Sequence, residues 1–380
     1  AIQQKEIADK QREIAVQQRN VAEGNLHSFI STINKVVSDI DWELARRAGN
    51  GELRDKQLKG IEGALDSLPP SEREKAEVQA MFIKAKHRVG DFALSDGTLK
   101  DAENKYVTAR EVLQSAGKRE SFDGAMNHSK LGKVELARAR FNQAETQFNE
   151  ALRLLKEIGG DDLGSSRTLA TSYFERGELD RARGRFENAI PYYNRAIDHF
   201  RDIDRNNKDD EDGGKDGYNL SLLAEALGAC AGAARQAGEV PLANSLLREA
   251  IDIEKPLAEG ELSNAYHRAI LARIYIELAE LRYQEKNLAE ASEHFNDALE
   301  YGRGLVKGDP TRKPYALILG DALYGIERLA GDRRDAIGAV KARNERHELA
   351  DGFLRLDPDD GRFQRLQDLR SPAPAKKISR

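Results

Sequence analysis

The side chains that could do chemistry are few and scattered. Seven histidines occur, His27, His87, His128, His199, His267, His294 and His347. None falls in a His-Glu-x-x-His arrangement, and none has a cysteine or paired carboxylates at metal-ligand spacing. Packing or surface roles are expected for all of them. Cys230 is the single cysteine, so it forms no internal disulfide and supplies no cysteine-based zinc site. It stands in an Ala/Gly-rich run and reads as a buried packing residue rather than a reactive thiol. "GRGLVKG" (302–308) has the glycines of a phosphate loop but follows a helical stretch and lacks the Gly-Lys-Ser/Thr ending. "SAGKRES" (115–121) has Val112 where such a loop needs glycine. Both read as connectors. No Gly-x-Ser-x-Gly elbow occurs. The expectation is a chain with no catalytic residues, no metal and no cofactor.

Composition narrows the class further. The 380 residues hold 60 Lys and Arg against 65 Asp and Glu, a net charge of −5, with 33% charged and 6% aromatic residues. This suits a chain rich in exposed helix. It lacks the basic surplus of a nucleic-acid binder. The best apolar run, Leu220 to Ala234, contains Glu225 and is short against the roughly 20 residues of a membrane span. No secretory signal is visible. Cytoplasmic placement is expected, and because the chain starts at Ala1, a longer parent with a membrane anchor upstream stays open.

The elements that must position any site follow from a repeated spacing. The series Leu99-Ala102-Tyr106-Ala109 returns as Phe141-Ala144-Phe148-Ala151, Phe186-Ala189-Tyr193-Ala196, Val240-Ala243-Leu247-Ala250 and Leu288-Ala291-Phe295-Ala298. A degenerate sixth centres on Ala336 and Val340. The central alanines are 42, 45, 54, 48 and 45 residues apart. Intervals of three and four place each set on one helix face. Each unit has an upstream helix, with Val89-Gly90 and Leu131-Gly132 about twelve residues before the central alanine. Gly97, Ala139, Gly184 and Gly238 mark tight turns between the two helices. Pro191 and Pro241 are expected in first turns of second helices. The small residues let paired helices approach, and the aromatic fills the remaining space. No pair buries its own stripe, so the units must stack.

This Leu-Gly, Gly-x-aromatic, Ala, aromatic, Ala series resembles the tetratricopeptide repeat family over residues 81–355. The steps exceed that family's usual 34 residues, and Tyr173 is the nearest match to its early first-helix aromatic. The resemblance implies an all-α, right-handed α-solenoid of about six helix-turn-helix repeats with a concave groove lined by first helices. Carrying over the exposed first-helix positions gives candidate groove residues Lys84, His87 and Asp91, then Ser129 and Lys133, then Glu178 and Arg181. Glu225 and Arg235 follow, and Arg273, Glu280 and Tyr283 complete the set. Their mixed charge implies a polar peptide or protein ligand. The Lys/Asn set that clamps a C-terminal carboxylate in chaperone-binding relatives is not reproduced; His87, Asp91 and Glu175 stand there instead.

The flanks differ in character. In residues 1–25, Ile7, Ile14 and Val21 recur every seven residues, but Lys10 and Gln17 leave the seam too narrow for a confident coiled coil. A linker helix is expected, with self-association as the other reading. From 26 to 80 the stripe Leu26, Phe29, Ile30, Ile33, Val36, Val37, Ile40, Leu44 should pack on a helix from Leu53 to Leu68. Ser71 and Glu74 have the spacing of a capping box for a further helix. Residues 202–217, "DIDRNNKDDEDGGKDG", fail the calcium-loop pattern and read as a solvated loop, with weak cation or basic-partner binding as the alternative. Residues 356–380 read as a tail, partly disordered and basic at its end.

The N-terminal extension is also similar to linkers in large bacterial signalling or effector proteins. "GDPTRKPYALILGDAL" and "LDPDDGRFQRLQDL" resemble that group's connectors. Three functions therefore stand as expectations. The first is a non-catalytic module binding a peptide or protein segment in the groove. The second is the sensor region of a larger effector whose caspase-like, kinase or signal-transduction ATPase domain lies upstream. The third is a homo-oligomeric scaffold built through the N-terminal helix. Partners are accordingly protein or peptide, not nucleic acid, with no membrane insertion by this segment.

Overall fold

The structure is a computed structural model, and it describes residues 2–37, 51–160, 162–206, 217–260, 264–356, 358 and 360–369. Sixteen helices are seen among them: α1 (Ile2–Lys35), α2 (Gly51–Asp66), α3 (Pro70–Arg73), α4 (Ala76–Asp96), α5 (Leu99–Ser115), α6 (Phe122–Ala137), α7 (Phe141–Ile158) and α8 (Leu163–Ala182). Then come α9 (Phe186–Asn206), α10 (Tyr218–Gln236), α11 (Val240–Gly260), α12 (Ala265–Gln284), α13 (Leu288–Gly308), α14 (Lys313–Asp332), α15 (Ala336–Leu354) and α16 (Gly361–Asp368). From α4 to α15 they pack as six consecutive pairs, the all-α right-handed solenoid expected from the spacing.

Each pair closes as its residues dictate. Tyr106, Phe148, Tyr193 and Phe295 are fully buried between their flanking alanines. Each such ring stabilises the fold by about 2 kcal/mol through removal of apolar surface from water. The first helix gives way at one residue: a Cβ on Gly90 would lie 2.4 Å from the Tyr106 ring, on Gly132 2.6 Å from Phe148, and on Gly177 2.8 Å from Tyr193. The turn inside each pair uses one left-handed residue, for example Gly97 at φ 83° and Gly184 at φ 71°. Ala139, Lys286 and Arg334 adopt the same conformation without being glycine. Pro241 sits at the second position of α11, as expected. Pro191 does not occupy a first turn: α9 starts at Phe186, which places it one turn further in.

The N-terminal segment also departs from expectation in detail. α1 continues unbroken across residue 25, so linker and packing segment are one helix. Its Ile33, and Val37 just past its end, pack with Ile61 and Leu65 of α2 and Met81 and Ala85 of α4, while Ile40 and Leu44 lie outside the described residues. Ser71 does not cap a long helix. Pro70 supplies a helix start that needs no N–H, which puts Ser71 inside the four-residue α3, and α4 begins after Lys75.

Two connectors are shorter than the sequence implied. α9 runs to Asn206 with Ile203 buried, so residues 202–206 of the acidic insertion are helical; residues 207–216 lie outside the description. The C-terminal segment contains α16, whose Phe363 stacks on Phe353 at 4.5 Å and whose Leu366 packs over Gly320. Arg346 fixes it, donating to the carbonyls of Leu366 and, at 2.9 Å, Leu369. That part of the expected tail belongs to the fold.

The superhelix winds far enough to meet itself. α14 lies against α4, the first helix of the array. Arg362 donates from Nη2 to the Asp96 carbonyl at 3.3 Å, and the Arg312 guanidinium lies 5.7 Å from the Phe92 ring centre. Arg54 stacks on the same ring at 5.4 Å. The concave side is thereby a channel bounded on every side by first helices and α16.

Candidate functional site

Along the channel wall, charged residues of one first helix pair with those of the next. Lys130 of α6 reaches Asp91 of α4 at 2.7 Å, and Lys133 of α6 lies 3.1 Å from Glu175 of α8. Arg273 of α12 meets Glu225 of α10 at 3.1 Å, and Arg235 of α10 meets Glu277 of α12 at 2.9 Å. Arg328 of α14 pairs with Glu280 of α12, and the Tyr283 hydroxyl donates to Asp332 at 2.6 Å. Charge-assisted bonds of this kind, partly shielded from water, set the register between stacked repeats.

This ladder places the twelve candidate residues. Glu178, Arg181, Glu225 and Arg273 line a central cavity of 610 Å³. Lys133 lines an adjoining 510 Å³ cavity together with Glu178 and Glu225. The other seven lie off these two cavities. Lys84 bonds Asn34 of α1 at 2.6 Å. His87 is buried against Asn127 at 3.0 Å, and Ser129 is buried and donates to Glu175. Asp91 accepts from Lys130 and from the Tyr106 hydroxyl. Arg235, Glu280 and Tyr283 are held in the ladder. Several side chains that read as exposed in a repeat pattern are thus consumed by neighbours 39 to 49 positions away.

Electrostatics follows from that packing. Burial, with Lys130 adding repulsion, pushes the His87 imidazole down to about 4, so it is neutral. Burial opposes ionisation of Asp91, but Lys130 and Lys133 outweigh it and hold the carboxyl below the carboxylate range. Burial raises Glu225 despite Arg273. Asp321 of α14 is exposed to the water of the channel, and partial desolvation by the surrounding walls pushes its carboxyl up to about 6 against the pull of Arg365 and Arg273.

The channel floor, which pattern reasoning missed, is apolar. Phe174, Ile270, Ile274, Leu317 and Ile318 line the central cavity. Leu94 borders it, the 510 Å³ cavity and a third of 690 Å³ walled by Leu317, Leu366 and α16. These residues come from four repeats, and only the superhelical turn brings them together.

Two other arrangements have the ingredients of chemistry without its geometry. Ser221 Oγ lies 2.7 Å from His267 Nδ1, which lies 2.9 Å from Glu254 Oε1. A nucleophilic triad needs serine and carboxylate on opposite ring nitrogens. Here both meet Nδ1, and all three are buried, so the cluster ties α10, α11 and α12 together. Cys230 is buried, and burial pushes its thiol up to about 12. "GRGLVKG" is the last two turns of α13. Among the described residues no group of three or more His, Cys, Asp or Glu could hold a metal ion, and no helix is long and apolar enough to cross a membrane.

Paired helices stacked around one channel define a helical-repeat solenoid. The tetratricopeptide repeat family model matches residues 170–198, within the α8–α9 pair. The chain is similar in structure to a Rap protein complexed with competence and sporulation factor (TM-score 0.57, 13% identity, 90% of this chain and 80% of that one). It is also similar to NprR in complex with its cognate peptide NprX (TM-score 0.51, 14% identity, 90% and 82%). A third likeness is to aspartyl phosphate phosphatase F from Bacillus subtilis (TM-score 0.52, 10% identity, 95% and 92%). At these identities the likeness establishes the fold. Among curated proteins, none matches the chain in sequence.

Proposed function

We propose that the chain is a regulatory interaction module that receives a short peptide segment in its central channel. The observation that carries this reading is the self-closing array, which leaves an apolar floor under a charged rim inside one channel. A preformed channel loses little conformational entropy when it captures a flexible ligand. Mixed apolar and charged linings suit peptides, whose side chains alternate in the same way. Two of the similar structures carry bound factors, one of them named as a cognate peptide, which supports the reading. The test is affinity selection of a random hexapeptide pool by the wild-type chain and by Ile274→Asp, which puts a charge on the floor. Peptides kept by the wild type and lost by the folded variant support the proposal; equal retention overturns it.

A second reading is favoured by one observation on α1. Ile14 and Val21, seven residues apart on one face of the helix, are 49% and 63% exposed. We infer that this stripe docks either a second copy of the chain or an effector domain upstream in a longer parent. Sedimentation equilibrium of the chain with and without residues 1–25 tests the first form. A mass that stays monomeric in both removes the scaffold reading.

A further inference from the structure

The charged residues around the channel fall into two groups. In the 610 Å³ and 690 Å³ cavities nearly all of them are paired: Glu178 with Arg181, Glu225 with Arg273, Glu277 with Arg235, and Asp360 with Lys313 and Arg362. Asp321 and Arg365 make no hydrogen bond or ion pair among the described residues. Asp321 lines both cavities, and Arg365 lines the larger one. They are near enough for Arg365 to favour the Asp321 carboxylate, yet they do not meet.

That exception has a physical meaning. Both side chains are exposed to the water of the hollow, so each charge stays hydrated and free to meet a ligand. This chain pairs its other channel charges, some within one helix and some across neighbouring helices. Two opposite charges left facing one cavity are matched to a ligand that brings the complementary pair. The walls between them, Leu94, Leu317 and Leu369, are apolar. Resting on the peptide-channel reading above, we propose that the channel selects a dipolar peptide, seating a cationic group on Asp321 and an anionic group on Arg365, with an apolar residue over the leucine wall. The charges can come from side chains or from the peptide's own termini.

The experiment uses the full chain and two random hexapeptide pools, one free at both ends and one acetylated and amidated. Asp321→Asn and Arg365→Gln are the variants, each checked by circular dichroism and thermal melting. The wild type is expected to enrich peptides carrying both a basic and an acidic group. Asp321→Asn should lose the basic preference, and Arg365→Gln the acidic one. Each should bind a wild-type-selected peptide about tenfold more weakly, the scale of one charge-assisted contact. Enrichment confined to the free-ended pool assigns the charges to the termini; enrichment in the blocked pool assigns them to side chains. Peptides retained without enrichment in both charges, or with the same enrichment by the variants, overturn this inference and leave the channel reading standing. No retention of any peptide overturns both.

Discussion

Arg362 and Asp96 stand 266 positions apart, and the guanidinium of one donates to the backbone carbonyl of the other at 3.3 Å. Around them the Arg362 side chain fills the space beside Gly97, where a Cβ would collide with the guanidinium. Lys313 lies 3.2 Å from Asp360, which also binds Arg362 at 2.8 Å. This clasp joins the first repeat to the C-terminal helix and bounds the channel on that side.

Replacing Arg362 by alanine should release the clasp without unfolding the repeats. Small-angle scattering is expected to show a larger radius of gyration at unchanged far-UV helicity. High salt should produce a similar expansion in the wild type, because the exposed part of the clasp is screened. An unchanged radius for the variant would show that packing of α14 on α4 holds the closure alone.

Glu327 and Arg346 are both fully buried and 2.7 Å apart, with Arg343 also reaching Glu327 at 2.7 Å. Arg346→Met removes one partner of a buried charge and the donor that fixes α16. Destabilisation of about 3–5 kcal/mol is expected from denaturant unfolding. Proteolysis should cut first around residues 361–369, because α16 loses its tether. A melt indistinguishable from wild type would remove this pair from the account of the C-terminal cap.

Gly177 and Gly60 make a matched test of close packing. Gly177→Ala drives a methyl to 2.8 Å from the Tyr193 ring and should cost about 2 kcal/mol by overpacking. Gly60→Ala meets nothing within 4 Å and should stabilise α2 by about 1 kcal/mol through helix propensity. Chemical denaturation of both variants checks the sign and the order.

Acid should weaken the fold through His87. Its folded-state value is pushed down to about 4 from an ordinary 6.5, so the unfolded chain takes up the proton first. Stability present above pH 6.5 is therefore lost as pH falls toward 4, by about 3 kcal/mol for this group. Asp321 acts in the opposite sense: its raised value makes the folded chain the better proton acceptor, so stability falls as pH rises through 6. Melts of His87→Gln from pH 4 to 7 should be flatter than wild type, and melts of Asp321→Asn steeper. A His87→Gln profile that parallels wild type would exclude His87 as the source.

The local part of this architecture was legible from spacing. Ala144, Phe148 and Ala151 define a helix face, Gly132 defines what that face packs against, and the recurrence of both defines stacking. The channel was not legible, for a geometrical reason. Leu94 and Leu317 meet only after small rotations have summed over five repeats, and no single spacing encodes a sum. The ion-pair ladder was hidden for a related reason: whether Arg235 faces the groove or Glu277 depends on inter-repeat register. α16 reads as tail because "RFQRLQDL" is polar apart from Phe363, Leu366 and Leu369, three residues that matter only once Phe353 and Gly320 are beside them.

A linear repeat array has two terminal units, each with one neighbour fewer than the rest and each prone to fray independently. Here each terminal unit is the other's neighbour. The clasp therefore converts a chain of nearest-neighbour couplings into a cycle. Strain or melting introduced at α4 can reach α16 directly, without passing through the pairs between them. Damage at either terminus becomes damage at the seam, and the cooperative unit is the whole ring rather than a run of repeats.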